Sequence, residues 1–152
     1  MAMGKLNYVD DFEKWQSEFS FYTPIKVRFS ETDMNGHMNN ISAFTYMEQA
    51  RLDFFESKGL LEKFFHEEGM MIVGDLQCDY HQQMYFNDKI KMYVKIDYIG
   101  TTSADLHYLA VNHKNEVTLT GRNRLVYLNM KTNKTIPIPE KLKHKLLSNE
   151  RK

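Results

Sequence analysis

Around residues 19–29 apolar Ile25, Val27 and Phe29 alternate with Lys26 and Arg28, and that period of two predicts a first strand. Residues 30–40 break the alternation with a polar loop holding Asp33, Asn35, Gly36, His37, Asn39 and Asn40, the last two being residue types that cap helices. From there to about Lys58 the chain is rich in Ala, Met, Glu, Gln and Leu, which predicts a helix with Gly59 as its stop. With successive residues about 100° apart, Ile41, Phe44, Leu52 and Phe55 share one face. Ala43, Tyr46, Met47, Ala50 and Phe54 spread apolar surface over most of the remaining circumference. Only Ser42, Thr45, Gln49, Asp53 and Glu56 form a consistently polar side. A helix of this kind is buried in the middle of something.

The rest of the sequence supplies the wrapper. After a short helical stretch at 61–67, strand-like runs occupy about 70–81, 89–98, 103–112 and 117–129. Asn87-Asp88, Gly100-Thr101 and His113-Lys114-Asn115 separate them with turn chemistry, so consecutive antiparallel strands are the economical topology. Pro137 and Pro139 end the sheet, and residues 140–147 predict a terminal helix. The expected architecture is α+β, a curved antiparallel sheet of about five strands wrapped round one long central helix. With 152 residues, no internal repeat and no linker, the chain reads as a single domain whose core runs from about 19 to 139.

Composition narrows the partners. Twenty basic and 20 acidic residues cancel, leaving no global field to gather a nucleic-acid backbone or an anionic membrane. No run of about 18 apolar residues and no signal peptide is present, so a soluble cytoplasmic protein is expected. Cys78 is the only cysteine, which excludes an intramolecular disulfide and a thiolate metal cage within one chain.

Chemistry concentrates in the loop from Arg28 to Asn40. Asp33, Asn35 and His37 occupy every second position, so an acid, an amide and an imidazole can project together, next to a helix N-terminus with unpaired N–H groups. A carboxylate can attack a carbonyl or take a proton from water, and oriented N–H groups can hold the oxyanion that develops, which are the parts of an acyl-transfer site. The same residues are also ordinary loop formers, and Asn39 with Asn40 could cap the helix and do nothing else. Glu48 falls at the centre of the Ile41/Phe44/Leu52/Phe55 face, where a carboxylate is either used or paired; Arg51, three residues on, is the available partner.

The strand ending in Arg28-Phe29, the acidic loop centred on Thr32-Asp33 and the helical Glu48-Gln49-Ala50-Arg51 resemble the hotdog-fold thioesterases of the 4-hydroxybenzoyl-CoA and acyl-CoA group. The loop itself is similar to that of acyl-ACP thioesterases, whose Asp-x-Asn-x-His followed by Asn-Asn stands here as Asp33, Asn35, His37, Asn39 and Asn40. The resemblance implies hydrolysis of an acyl-CoA or an acyl carrier protein thioester to acid and thiol, without metal or cofactor. It implies Asp33 as nucleophile or general base, Asn35 and His37 as positioning groups, and Glu48 holding a water or tuning the loop. It places the backbone N–H of Asn40 on the thioester carbonyl. Where the acyl-CoA group often has His, this chain has Asn40; acyl-ACP enzymes commonly carry two such units in tandem, and this chain has one. The family pairs its sheets edge to edge, so a homodimer or homotetramer is implied, which agrees with the cost of leaving a sheet edge free.

Met70, Met71, Met84 and Phe86 are the expected lining of an acyl tunnel, although core filling accounts for them equally. His66, His81, His107, His113 and His144 are scattered without metal-site pairing and read as structural or surface groups. Cys78 reads as a packed strand residue, and the basic C-terminus (Lys141, Lys143, Lys145, Arg151, Lys152) as a solvated helix face rather than a phosphate contact. Two other readings stay open: a non-catalytic module that binds acyl thioesters, and a hydratase or dehydratase acting on them.

Overall fold

Five strands pair antiparallel in the order β1-β3-β4-β5-β2 in the computed structural model, which describes residues 4–61 and 69–148. They are β1 (Phe21–Lys26), β2 (Gly69–Tyr80), β3 (Lys89–Ile99), β4 (Ser103–Val111) and β5 (Val117–Asn129). The architecture is the expected α+β hotdog arrangement, with the sheet curved round α2 (Ser42–Ser57). The β4–β5 hairpin turns through Asn115, and the 81–88 segment enters β3 through Asn87; both take the left-handed conformation that Asn tolerates, with φ of 60° and 68°. Gly59 (φ 68°) ends α2: its N–H reaches the Glu56 carbonyl at 2.9 Å and the Leu60 N–H reaches Phe55 at 3.0 Å, a Schellman closure.

The helix presents Ala43, Tyr46, Met47, Ala50 and Phe54 to the sheet, where they join Val27, Met92, Leu106, Tyr108 and Leu119 in the main core. Small side chains let the backbones approach. At Gly121 of β5 a Cβ would sit 2.9 Å from the Met47 methyl and 2.9 Å from the Gln77 carbonyl oxygen. This corrects the expectation that Glu48 sits within an apolar face where a carboxylate must be used or paired. Ile41 and Leu52 are exposed in the monomer, and the Glu48 side chain is 63% exposed, with Arg51 Nη2 at 4.0 Å. Glu48 is therefore exposed to solvent rather than enclosed in the core, and a carboxylate there needs no special compensation.

Four further differences concern boundaries. The first strand is shorter than 19–29, because Phe29–Glu31 forms a 3₁₀ turn after Val27. The residue preceding α2 is Ile41, which has no side-chain cap; Asn39 caps the turn before it, its Oδ1 accepting the Ile41 N–H at 2.9 Å, and Asn40 caps nothing with its side chain. Met84 and Phe86, expected on strands that face the helix, both lie in the segment between β2 and β3. The short helix expected at 61–67 falls, from residue 62 on, outside the described residues.

An element the sequence did not announce, α1 (Phe12–Ser17), covers the outer face of the sheet. Asp11 caps it by accepting the Lys14 N–H at 3.2 Å, and Trp15 anchors a second cluster with Leu6, Val9, Leu109 and Val111. Pro139 leads into α3 (Glu140–Leu147), which docks through buried Leu142 and Leu146. Among the described residues no helix is long and apolar enough to cross a membrane.

Candidate active site

The loop between β1 and α2 folds back on itself because Asp33 organises it. Its carbonyl accepts the Gly36 N–H at 3.0 Å, its N–H donates to the His37 carbonyl at 2.8 Å, and Gly36 takes the φ of 76° that the turn requires. Its carboxylate oxygen Oδ1 accepts the N–H groups of Asn35 (2.8 Å) and His37 (3.2 Å). Among the described residues Oδ2 has no hydrogen-bond partner. One oxygen thus holds the loop and the other is available for chemistry.

The loop is anchored to the sheet end by backbone pairing of His37 with Tyr85 and by the Met38 N–H donating to Met84 at 2.6 Å. The His37 ring meets the Tyr85 ring edge-on, centroids 5.3 Å apart. On the other side the Asn39 N–H reaches Glu31 at 2.6 Å. Glu31 itself is fixed by Arg28 and by the Tyr46 hydroxyl at 3.0 Å; desolvation works against its charge, yet the bonds from Arg28 and Tyr46 hold its carboxyl below the usual range.

Two successive peptide planes lead into α2, and both are pinned. The Asn39 carbonyl accepts the Ser42 N–H at 2.9 Å; the next plane is held by the Tyr80 hydroxyl on the Asn40 carbonyl and by the Asn39 side chain on the Ile41 N–H at 2.9 Å. The Asn40 N–H, lying in the first plane, has no acceptor among the described residues. A fixed, unpaired N–H at the start of a helix is what a developing oxyanion requires.

Asp33, Asn35, His37 and Asn40 line one cleft of about 280 Å³, together with Tyr80, His81, Gln82, Gln83 and Met84. Sequence reasoning gave Tyr80 no role and read His81 as a structural or surface group; the only signal for either was its place at the end of a strand. His81 is 7% exposed and shares a 2.9 Å hydrogen bond through Nε2 with Thr120 Oγ1. Burial lowers its pKa, with Asp79 opposing, so the imidazole in the cleft wall is neutral.

Apart from Met84, the remaining expected residues lie elsewhere. Glu48, Met70 and Met71 border a second cavity of about 210 Å³ with Arg51, Leu52 and Phe55. Met84, 2% exposed, is part of the wall of the Asp33 cleft, whereas Phe86 is half exposed against Phe29, centroids 5.9 Å apart, outside both cavities. Burial pushes the Cys78 thiol up to about 11, which makes it inert. Among the described residues no group of three His, Cys, Asp or Glu side chains could hold a metal ion.

Residues 27–146 match the thioesterase-like superfamily. The protein YsmA of Bacillus subtilis is 36% identical over 141 residues, covering 92% of this chain and 95% of its own. A DHNA-CoA thioesterase from Staphylococcus aureus superposes with a TM-score of 0.71 at 26% identity, covering 76% of this chain and 78% of its own. A thioesterase from Thermus thermophilus solved with coenzyme A and zinc gives 0.70 at 26% identity, covering 82% and 90%.

Proposed function

Because the chain belongs to the thioesterase-like superfamily, we propose that it hydrolyses an acyl thioester of coenzyme A or of an acyl carrier protein, with Asp33 as the reacting carboxylate. The observation that carries this reading is the pairing, in one cleft, of a carboxylate with one oxygen pinned and one free and a backbone N–H without an acceptor. The thioester carbonyl oxygen takes the Asn40 N–H. Asp33 Oδ2 attacks the carbonyl carbon, or removes a proton from the water that does; either route consumes one water and releases acid and thiol. Asn35 and His37 orient the reacting groups from the same turn. The structural neighbours that act on or bind CoA compounds support the CoA branch.

The cavity bordered by Glu48, Met70 and Met71 takes part of the acyl chain, with Glu48 at its polar end. Such a cavity is open in one copy. Ile72, Val73 and Leu76 are exposed on β2, an edge strand with one free side, beside exposed Ile41 and Leu52 of α2. Pairing of two copies along this edge completes the site, so the working form is a homodimer or a dimer of dimers in the cytoplasm, with no resident cofactor.

The test is thiol release from short, long and aromatic acyl-CoAs, read with a thiol-reactive dye, by wild type and Asp33→Asn. The amide keeps an oxygen for the two loop N–H groups and removes the charge. Release by wild type alone supports the reading; equal release by both overturns the role of Asp33, and no release from any thioester overturns the activity.

A further inference from the structure

Three lysines stand together on the outer face of the sheet, at the same end as the Asp33 cleft. Lys26 and Lys89 are direct cross-strand partners in the β1–β3 register, and Lys91 is two residues along β3 on the same face. All three are exposed, and among the described residues none has a carboxylate within ion-pair distance. The nearby acids are committed: Asp88 accepts the Tyr85 N–H at 2.8 Å and Glu116 accepts Asn112 Nδ2 at 2.9 Å. Like charges directly opposite each other destabilise a sheet, so this arrangement works against the fold.

The lysines border a concavity of about 480 Å³ whose floor is Tyr22 and Pro24 and whose far wall is the β4–β5 turn at His113. Tyr22 is 41% exposed, with Lys91 Nζ 5.1 Å from its ring centre. An aromatic ring beside three ammonium groups that lack a carboxylate partner, in a hollow of small-ligand size, matches a nucleotide bearing several phosphates. The hollow is also within reach of the cleft. Lys89 is four residues from Tyr85, which pairs with His37, so the two sites are separated by at most about 20 Å of chain and bridge.

We propose that this hollow binds the 3′-phosphoadenosine diphosphate end of coenzyme A, with Lys26, Lys89 and Lys91 on the phosphates and Tyr22 against the base. The inference rests on the thioesterase reading and sharpens it. A carrier-protein thioester has the phosphopantetheine arm without the nucleotide, so a nucleotide site selects CoA as the carrier.

The experiment titrates 3′,5′-ADP into wild type and into the double variant Lys26→Gln/Lys89→Gln by calorimetry, at two salt concentrations. Wild type is expected to bind, more weakly at high salt, and the variant at least ten-fold more weakly. The variant's melting temperature should be equal or higher, because a like-charge pair is removed. In parallel, kcat/KM is compared for one acyl group on CoA and on pantetheine; wild type should prefer CoA, and the variant should lose most of that preference. No binding of 3′,5′-ADP by wild type, or undiminished binding by the variant, overturns the nucleotide site, as does turnover of carrier-protein thioesters with no advantage for CoA over pantetheine. Absence of thiol release alongside lysine-dependent 3′,5′-ADP binding overturns the hydrolase reading and leaves the nucleotide site standing.

Discussion

His37 sits in the cleft at the sheet end and His107 on the outer face under α1, each against an aromatic ring, and their commitments are reversed. His107 is 3% exposed; its Nδ1 accepts the Trp15 indole N–H at 2.7 Å, and Tyr8 lies 5.0 Å away, ring to ring. Burial drives its pKa down to about 4, with Asp97 opposing and Lys95 adding, so the imidazole is neutral and its proton inventory is fixed by packing. At His37 the backbone is fixed on both sides, while among the described residues no hydrogen bond engages its ring nitrogens. The outer cluster satisfies its side chains; the cleft pins its backbone and leaves side chains and one N–H unspent. Unspent polar groups on a rigid frame, rather than polar residues as such, distinguish the site.

The largest effect expected from breaking this contrast is on the cleft side. Asp33→Asn should lower kcat by about 10²-fold or more while its urea midpoint stays that of wild type. A variant that loses stability together with activity would make Asp33 a loop residue only. On the outer face the opposite split is expected. Trp15→Ala should cost about 3–5 kcal/mol of folding free energy, measured by urea unfolding, with thiol release per folded molecule unchanged.

This contrast also explains what the sequence could show. Alternation and turn residues made the strands legible, because Asn87, Asn115 and Gly59 stand where the backbone needs a left-handed residue. The Asp33 loop was legible because every second residue is polar. The six-residue α1 was not, since it is too short for a helical period and owes its stability to Trp15 packing on β4. The side of α2 that meets the sheet was not legible for a related reason. Its circumference is apolar nearly all round, and the side that meets the sheet is chosen by small Ala43 and Ala50 and flexible Met47 opposite Gly121, a long-range fit that no periodicity encodes.

A smaller effect follows from the low pKa of His107. In the unfolded chain this group takes a proton near its ordinary value of 6.5, whereas the folded protein refuses it until about 4. The unfolded state therefore binds more protons between those values, and stability falls as pH drops through that window. His107→Gln should flatten the fall in urea midpoint between pH 7 and pH 5. An unchanged slope would assign it to other groups.

The smallest and most discriminating change is Tyr80→Phe. Tyr80 is 44% exposed, and its hydroxyl holds the Asn40 carbonyl, in the peptide plane next to the one that carries the free N–H. Losing one half-exposed hydrogen bond should cost no more than about 1 kcal/mol of stability. If the Asn40 N–H holds charge that appears only in the transition state, loosening its neighbour should lower kcat several-fold and leave KM nearly unchanged. A rise in KM alone would place Tyr80 in ground-state binding, and no kinetic change would separate the start of α2 from the chemistry, leaving Asp33 to act without a fixed oxyanion partner.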